Sequence, residues 1–246
     1  MTMEISQNSD VLKTLIIIPA YNEEGSIASV IRDIHRHVPF ADVIVINDGS
    51  TDHTGQYARD AGARVLTLPY NLGIGGGMQT GYMYANKMGY DIAVQMDADG
   101  QHRAVELPKL IAQASNHDLV IGSRFLEATS FQSSTMRRIG MLFFSSLVSL
   151  VTGQRFTDTT SGFRAAGHRV IGLYAKYYPI DYPEVESIVY LKRKGCRITE
   201  VSTEMRPRQA GKSSITPLKS AYYMIKVTLS VLMSALRYTK VAVHKP

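Results

Sequence analysis

Short runs of consecutive β-branched and aliphatic residues alternate along the first half of the chain with stretches whose apolar positions recur every three or four residues. The short runs are 15–18 (Leu-Ile-Ile-Ile), 43–46 (Val-Ile-Val-Ile), 64–68, 92–96 and 119–122, and each reads as a strand apolar on both faces. Between them, residues 25–37 put Ile27, Val30, Ile31 and Ile34 on one helical face, and 51–62, 77–88 and 107–114 read as further helices. Doubly apolar strands alternating with amphipathic helices predict an α/β fold with a mostly parallel sheet covered on both sides. Ligands of such sheets bind beyond the carboxyl ends of the strands. Pro19, Asp48, Asp97 and Arg124 all fall there, which is a reason for a site before any motif is considered.

The second half changes character. Residues 139–151 form an apolar helix too short to span a bilayer, 186–194 a helix and 196–201 a strand. A polar, basic loop over 207–214 precedes a long apolar helix over 221–236 that contains Tyr222, Tyr223, Met224, Leu229, Leu232 and Met233. With no repeat and no linker, one domain over 1–215 followed by a C-terminal amphipathic, basic extension over 216–246 is expected. The N-terminus shows no basic, apolar leader and no run approaches a membrane span, so a cytoplasmic location is expected, with one cysteine, Cys196, fitting a reducing compartment.

Composition is that of a globular protein, with 45% hydrophobic and 20% charged residues, but the charge is divided unevenly. Residues 1–125 carry 9 Lys/Arg against 14 Asp/Glu, a balance of −5, and residues 126–246 carry 18 against 7, a balance of +11. A basic half implies an anionic partner. No nucleic-acid module is recognisable and the basic residues are dispersed among apolar helices, which points to phosphates and membrane.

The most specific chemistry lies in Asp97-Ala98-Asp99-Gly100-Gln101-His102. Alternate residues of an extended chain point the same way, so Asp97 and Asp99 are expected to aim at one point, with Gly100 turning the chain away. Two adjacent carboxylates need a positive charge between them, and a hard divalent cation takes oxygen ligands of this kind and shares them with phosphate. The Gln101 carboxamide is a further candidate ligand. A solvated acidic turn is the plainer alternative.

Other segments have two readings each. Pro19-Ala20-Tyr21-Asn22-Glu23-Glu24 either caps a helix or holds a nucleobase and ribose. Asn47-Asp48-Gly49-Ser50-Thr51-Asp52 combines a helix cap with a carboxylate placed for a base or ribose. The glycines of 73–77 are read as a flexible stretch approaching the ligand, not as a dinucleotide loop, because they do not open the first βαβ unit. Arg124, Arg137, Arg138, Arg164, Arg206, Arg208 and Lys212 are candidate phosphate clamps, with Arg124 singled out by its place at a strand end. His35, His37 and His102 carry little functional signal, and Cys196 reads as core.

Taken in order, Pro19-Ala20-Tyr21-Asn22-Glu23, Asn47-Asp48-Gly49-Ser50-Thr51-Asp52, Asp97-Ala98-Asp99-Gly100-Gln101-His102, Gly122-Ser123-Arg124-Phe125 and Asp158-Thr159-Thr160-Ser161-Gly162-Phe163-Arg164 resemble family 2 glycosyltransferases of the GT-A fold. Within that family the set looks most like the dolichol/polyprenol-phosphate sugar transferase branch, over residues 13–215. The resemblance implies that Pro19, Tyr21, Glu23 and Asp48 hold the nucleoside and that Asp97, Asp99 and Gln101 bind Mg²⁺ or Mn²⁺ on the donor diphosphate. It places Arg206 and Lys212 in a loop over that diphosphate, and Arg124, Arg138, Ser161 and Arg164 toward the acceptor phosphate. Leu142 stands where such relatives usually have serine, and Gly211-Lys212-Ser213-Ser214 where they commonly read Gly-x-Ser-Lys.

The implied reaction is metal-dependent, inverting transfer from a UDP-, GDP- or dTDP-sugar to a polyprenyl phosphate at the cytoplasmic membrane face, with a small integral membrane protein as a possible partner. A phosphate acceptor is already ionised and needs orientation, whereas a sugar hydroxyl of a growing glycan needs a carboxylate base, for which Asp158 or Glu184 is the candidate. Asp99, Arg124 and Asp158 are thus the expected catalytic set. An inactive nucleotide-sugar-binding subunit is the alternative from another class.

Overall fold

The computed structural model describes residues 12–127, 135–180, 183–206, 224, 226–231 and 233. Seven strands form one sheet: β1 (Thr14–Ala20), β2 (Asp42–Asn47), β3 (Arg64–Thr67), β4 (Ile92–Gln95), β5 (Leu119–Ser123), β6 (Arg164–Gly167) and β7 (Ile198–Ser202). Their spatial order is β3-β2-β1-β4-β6-β5-β7, and every pair is parallel except those of β6 with β4 and β5. The helices are α1 (Ile27–His37), α2 (Thr54–Asp60), α3 (Gly73–Lys87), α4 (Leu107–Ala114), α5 (Thr135–Thr152), α6 (His168–Lys176) and α7 (Pro183–Arg193), with a 3₁₀ turn at Ala104–Glu106. Among the described residues no helix is long and apolar enough to cross a membrane.

The strands β1, β2, β4 and β5 bury both faces, while β3 at the sheet edge stays partly exposed. One core layer lies under α1, α2 and α4 and includes Ile16, Ile18, Ile31, Ile34 and Leu110. The other lies under α3, α5, α6 and α7 and includes Ile17, Ile44, Tyr82, Phe144 and Ile188. Because α1 and α3 cover opposite faces, the chain reverses its winding between β1 and β4, and a crevice opens at the carboxyl ends of those two strands.

Three expectations are corrected. Pro19 does not end β1: beyond Ile17 the strand pairs with β2 alone, so the missing proline N–H leaves no unmet partner on the β4 side. The glycines of 73–77 are not a flexible stretch but the first turns of α3. A side chain on Gly75 would sit 2.4 Å from the Ile180 carbonyl, and one on Gly81 would sit 2.4 Å from Ile17, so the glycines let α3 press against the sheet and its neighbouring loop. The helix expected from residue 51 starts only at Thr54, because residues 50–53 are hydrogen-bonded into a loop. Finally, β6 and α6 had no sequence expectation. In the C-terminal segment Val227 and Val231 join the main core, while Leu229 and Met233 are exposed.

Candidate active site

The loops after β1 and β2 are knitted into one platform. Asn22 takes a left-handed conformation (φ 54), which asparagine tolerates, and its N–H donates to the Ser50 hydroxyl at 3.0 Å. Its side-chain oxygen accepts the Thr51 N–H at 2.9 Å, and the Glu23 N–H donates to the Thr54 hydroxyl at 2.8 Å. Asp52 accepts from Glu24 and Thr54; burial alone would raise its pKa, but these hydrogen bonds hold the carboxyl below its ordinary value. The polar residues of the two motifs are therefore largely spent on one another, and they hold an exposed Tyr21 ring and a recessed Asp48 at the rim of the crevice. The Asp48 carboxylate accepts the Leu72 N–H at 2.7 Å. Gly49 (φ 71) makes this approach possible, since a side chain there would lie 2.8 Å from the backbone of Tyr70 and Asn71. The Glu23 carboxylate accepts from the Ser26 hydroxyl at 3.1 Å.

The acidic segment departs from the extended geometry expected of it. β4 stops at Gln95, and residues 98–100 form a turn with Gly100 at φ 75. Asp99 is buried and its carboxylate accepts the Gln101 N–H at 3.0 Å, so it braces the turn, while Asp97 presents a side chain 39% exposed. The two carboxylates are thus not equivalent neighbours on one strand face. His102 is buried behind them: its Nδ1 accepts the Asp97 N–H at 3.1 Å and Nε2 lies 3.7 Å from the Asp97 carboxylate. The imidazole stacks on Phe163 with ring centres 4.8 Å apart. Among the described residues no three His, Cys, Asp or Glu side chains come together as a metal cage. A partly exposed carboxylate braced from behind nevertheless fits a hard cation that completes its shell with oxygens of a substrate.

Across the crevice, Arg124 at the end of β5 forms a two-pronged pair with Asp158, Nε to Oδ2 and Nη2 to Oδ1 both at 2.6 Å. Nη2 also donates to the Thr160 hydroxyl at 2.8 Å, and the Arg124 N–H donates to Asp158 at 3.1 Å. Asp158 is wholly buried. Its own N–H, with that of Thr157, is received by Glu200 of β7 at 2.8 Å, and burial pushes the Glu200 carboxyl above its ordinary pKa. Because β6 runs antiparallel, the segment 158–163 that enters it lies at the same sheet end as the carboxyl ends of β4 and β5.

Arg164 is corrected as an acceptor-facing residue. It is 1% exposed, and its guanidinium donates to the carbonyls of Ser161 and Thr159 and to the Ser187 hydroxyl, so it folds the 158–164 loop from within. Ser161, 2% exposed, likewise turns inward, its hydroxyl accepting the Phe163 N–H. Arg138 is exposed in the first turn of α5. The Arg206 N–H donates to the Gln101 carbonyl, and its guanidinium lies 3.9 Å from Asp33 of α1, lining a cavity of about 290 Å³ beside Gly100 and His102. Lys212 lies outside the described residues. Glu184, in the first turn of α7, is half-buried; burial raises its pKa, and Arg164 and Arg124 oppose that rise.

Two contributors carried little or no signal in the sequence. His102 stands beside the acidic turn, and that adjacency was the available signal. Glu200 is a lone glutamate in a strand and gave none. The pattern of residues 15–172 matches the family model for glycosyl transferase family 2. The chain is a family 2 glycosyltransferase. It is 33% identical over 220 residues to an undecaprenyl-phosphate mannosyltransferase of Micrococcus luteus, covering 83% of this chain and 88% of that one. It is 29% identical over 208 residues to a UDP-N-acetylglucosamine–dolichyl-phosphate N-acetylglucosaminyltransferase of Methanococcus voltae, covering 76% and 82%. These likenesses place the glycosyltransferase in the dolichol/polyprenol-phosphate branch. Its GT-A fold is that of glucosyl-3-phosphoglycerate synthase of Mycobacterium tuberculosis, solved with Mn²⁺, UDP and glucosyl-3-phosphoglycerate (TM-score 0.69, 23% identity, 92% of this chain and 80% of that one).

Proposed function

We propose that this glycosyltransferase moves a sugar from a nucleotide donor to a polyprenyl phosphate at the cytoplasmic face of a membrane, inverting the anomeric carbon. The observation that carries the acceptor is the Arg124–Asp158 pair. The buried Asp158 carboxylate fixes the Arg124 guanidinium at a strand end, and both Asp158 oxygens are engaged on Arg124. Asp158 therefore acts as a positioning residue for Arg124 and not as the base that a sugar hydroxyl would need. The relatives' names support a lipid phosphate while differing in sugar, mannose in one and N-acetylglucosamine in the other.

Tyr21, Pro19, Glu23 and Asp48 hold the nucleoside on the two-loop platform. Asp97, with Asp99 and Gln101 behind it in the turn, would hold Mg²⁺ or Mn²⁺, which neutralises the charge that gathers on the departing nucleoside diphosphate. His102 orients Asp97. Arg124 fixes the acceptor phosphate, with Arg138 and Arg206 adding positive charge along the route of the two phosphorylated substrates; Lys212, outside the described residues, is assigned to the donor diphosphate by its sequence resemblance. The phosphate oxygen, ionised at neutral pH, attacks the anomeric carbon opposite the leaving diphosphate, and no proton has to be removed.

A second reading, transfer to a glycan hydroxyl, is favoured by Glu184, whose raised pKa suits a general base. The two separate on mutation. With polyprenyl phosphate as acceptor, Arg124→Gln should raise the KM for that acceptor at least about tenfold, and Glu184→Gln should change kcat by less than about threefold. A Glu184→Gln enzyme that loses turnover about a hundredfold or more, with Arg124→Gln mild, establishes the hydroxyl acceptor instead.

A further inference from the structure

The register of β4 with β6 sets Gln95 opposite Arg164, and two residues further on it brings Gly162 beside Asp97. A side chain on Gly162 would begin 3.1 Å from Gln95 Nε2 and 3.5 and 3.6 Å from the two Asp97 carboxylate oxygens. The bare backbone therefore leaves a small space walled by an amide and a carboxylate. Gly162 and Asp97 are both partly exposed, so the space opens to the crevice.

The amide is held facing that space. Gln95 is 1% exposed, and its Oε1 accepts the Tyr178 hydroxyl at 3.2 Å. Burial pushes the Tyr178 pKa well above its ordinary value, so the phenol keeps its proton and donates it. The reverse amide orientation would turn a carbonyl oxygen toward the Asp97 carboxylate and take this acceptor from Tyr178. Gln95 Nε2 is thereby directed toward Gly162 and Asp97, yet it has no acceptor among the described residues. Buried donors are nearly always met, and one left unmet at the wall of a crevice marks a place for a ligand atom.

Chemistry narrows what that atom is. It must accept from the Gln95 N–H while lying against the negative charge of Asp97. A phosphate or carboxylate oxygen is repelled by Asp97, a carbonyl has no proton to give it, and an ammonium cannot accept from the amide. A hydroxyl does both. Gly162 belongs to the segment that the Arg124–Asp158 pair anchors, and Asp97 belongs to the acidic turn across from it. With the donor diphosphate at that turn and the acceptor phosphate at Arg124, the transferred sugar lies between them, beside this space.

We propose that Gln95 reads the transferred sugar: its amide N–H donates to one ring hydroxyl, that hydroxyl donates to Asp97, and Gly162 is bare so that the hydroxyl can enter. A sugar lacking that hydroxyl leaves Nε2 unmet, so the subsite selects among sugars by the presence of one oxygen. This role rests on the donor site proposed above and is independent of the acceptor.

The test is calorimetric titration of the full chain with Mn²⁺ present. The ligands are UDP, GDP and dTDP, then UDP-glucose, UDP-N-acetylglucosamine, GDP-mannose and dTDP-glucose, then monodeoxy forms of whichever sugar nucleotide binds. Gln95→Leu removes the N–H, and Gly162→Ala fills the space. Both variants should bind the nucleoside diphosphate within about twofold of the wild type and lose at least about tenfold in affinity for the sugar nucleotide. One monodeoxy donor should cost the wild type at least about tenfold and cost Gln95→Leu nothing further. Variants that bind the sugar nucleotide as the wild type does, or a wild type indifferent to every monodeoxy form, overturn the assignment. So does an equal loss for nucleoside diphosphate and sugar nucleotide in variants with wild-type circular dichroism, since Gln95 would then only brace the acidic turn. A wild type that binds none of these sugar nucleotides removes the donor site and the assignment with it. Sugar-selective losses in a protein that transfers nothing to polyprenyl phosphate leave the subsite standing and remove the acceptor reading alone.

Discussion

At the scale of single residues, the site depends on carboxylates given unlike environments. Asp158 is buried against Arg124, Asp99 is folded onto its own turn, Asp97 reaches the crevice, and Glu184 is half-buried near two arginines. Pairing and burial, not residue type, decide their roles, and sequence spacing could not distinguish them. Asp97 and Asp99 look equivalent in the motif; only the end of β4 at Gln95 separates them. Glu184 offers a pH test. Its folded pKa lies above the ordinary 4.5, so its contribution to stability is fully present below about pH 4.5 and is lost as pH rises through the raised value. Glu184→Gln titrates nothing there, so the melting temperature of the variant minus that of the wild type should increase between pH 4.5 and 7, whatever its sign at either end. A difference that stays flat contradicts the raised carboxyl.

At the scale of elements, the strands and helices of the first half were legible because each carries its own period: Ile27, Val30, Ile31 and Ile34 are all buried on α1, as the spacing requires. Others were not, and two of them show why. β6 reads Arg-Ala-Ala-Gly and lacks β-branched residues; it is a strand because β4 and β5 leave room for one between them. The first turns of α3 are glycine-rich, a poor helix sequence in isolation, and tertiary packing overrides propensity because only a bare backbone fits against Ile17 and Ile180. Gly81→Ala checks this. Helix propensity alone predicts a gain of about 1 kcal/mol. A methyl 2.4 Å from Ile17 costs about 1–3 kcal/mol in overpacking, so the melting temperature should fall by a few degrees. A rise would show that α3 is free to move off the sheet.

At the scale of the whole molecule, the sheet places a donor platform from β1 and β2, an acidic turn from β4 and an arginine from β5 around one crevice. The antiparallel β6 brings the 158–163 segment to that same end. The location of the site was readable from the strand ends alone, because parallel sheets put their ligands there. The bracing of Arg124 was not, because Asp158 and Glu200 lie 34 and 76 positions further along the chain and are brought to it only by the pairing of β5 with β6 and β7. The most direct measurement is transfer of radiolabelled sugar from UDP-, GDP- and dTDP-linked donors to polyprenyl phosphate, read as label in the organic phase, for the wild type and Asp97→Asn. The wild type should deliver label from one donor into an organic-soluble product, and folded Asp97→Asn should deliver at least about a hundredfold less. Label confined to a water-soluble glycan, or undiminished transfer by Asp97→Asn, would contradict a polyprenyl-phosphate transferase built on this acidic turn.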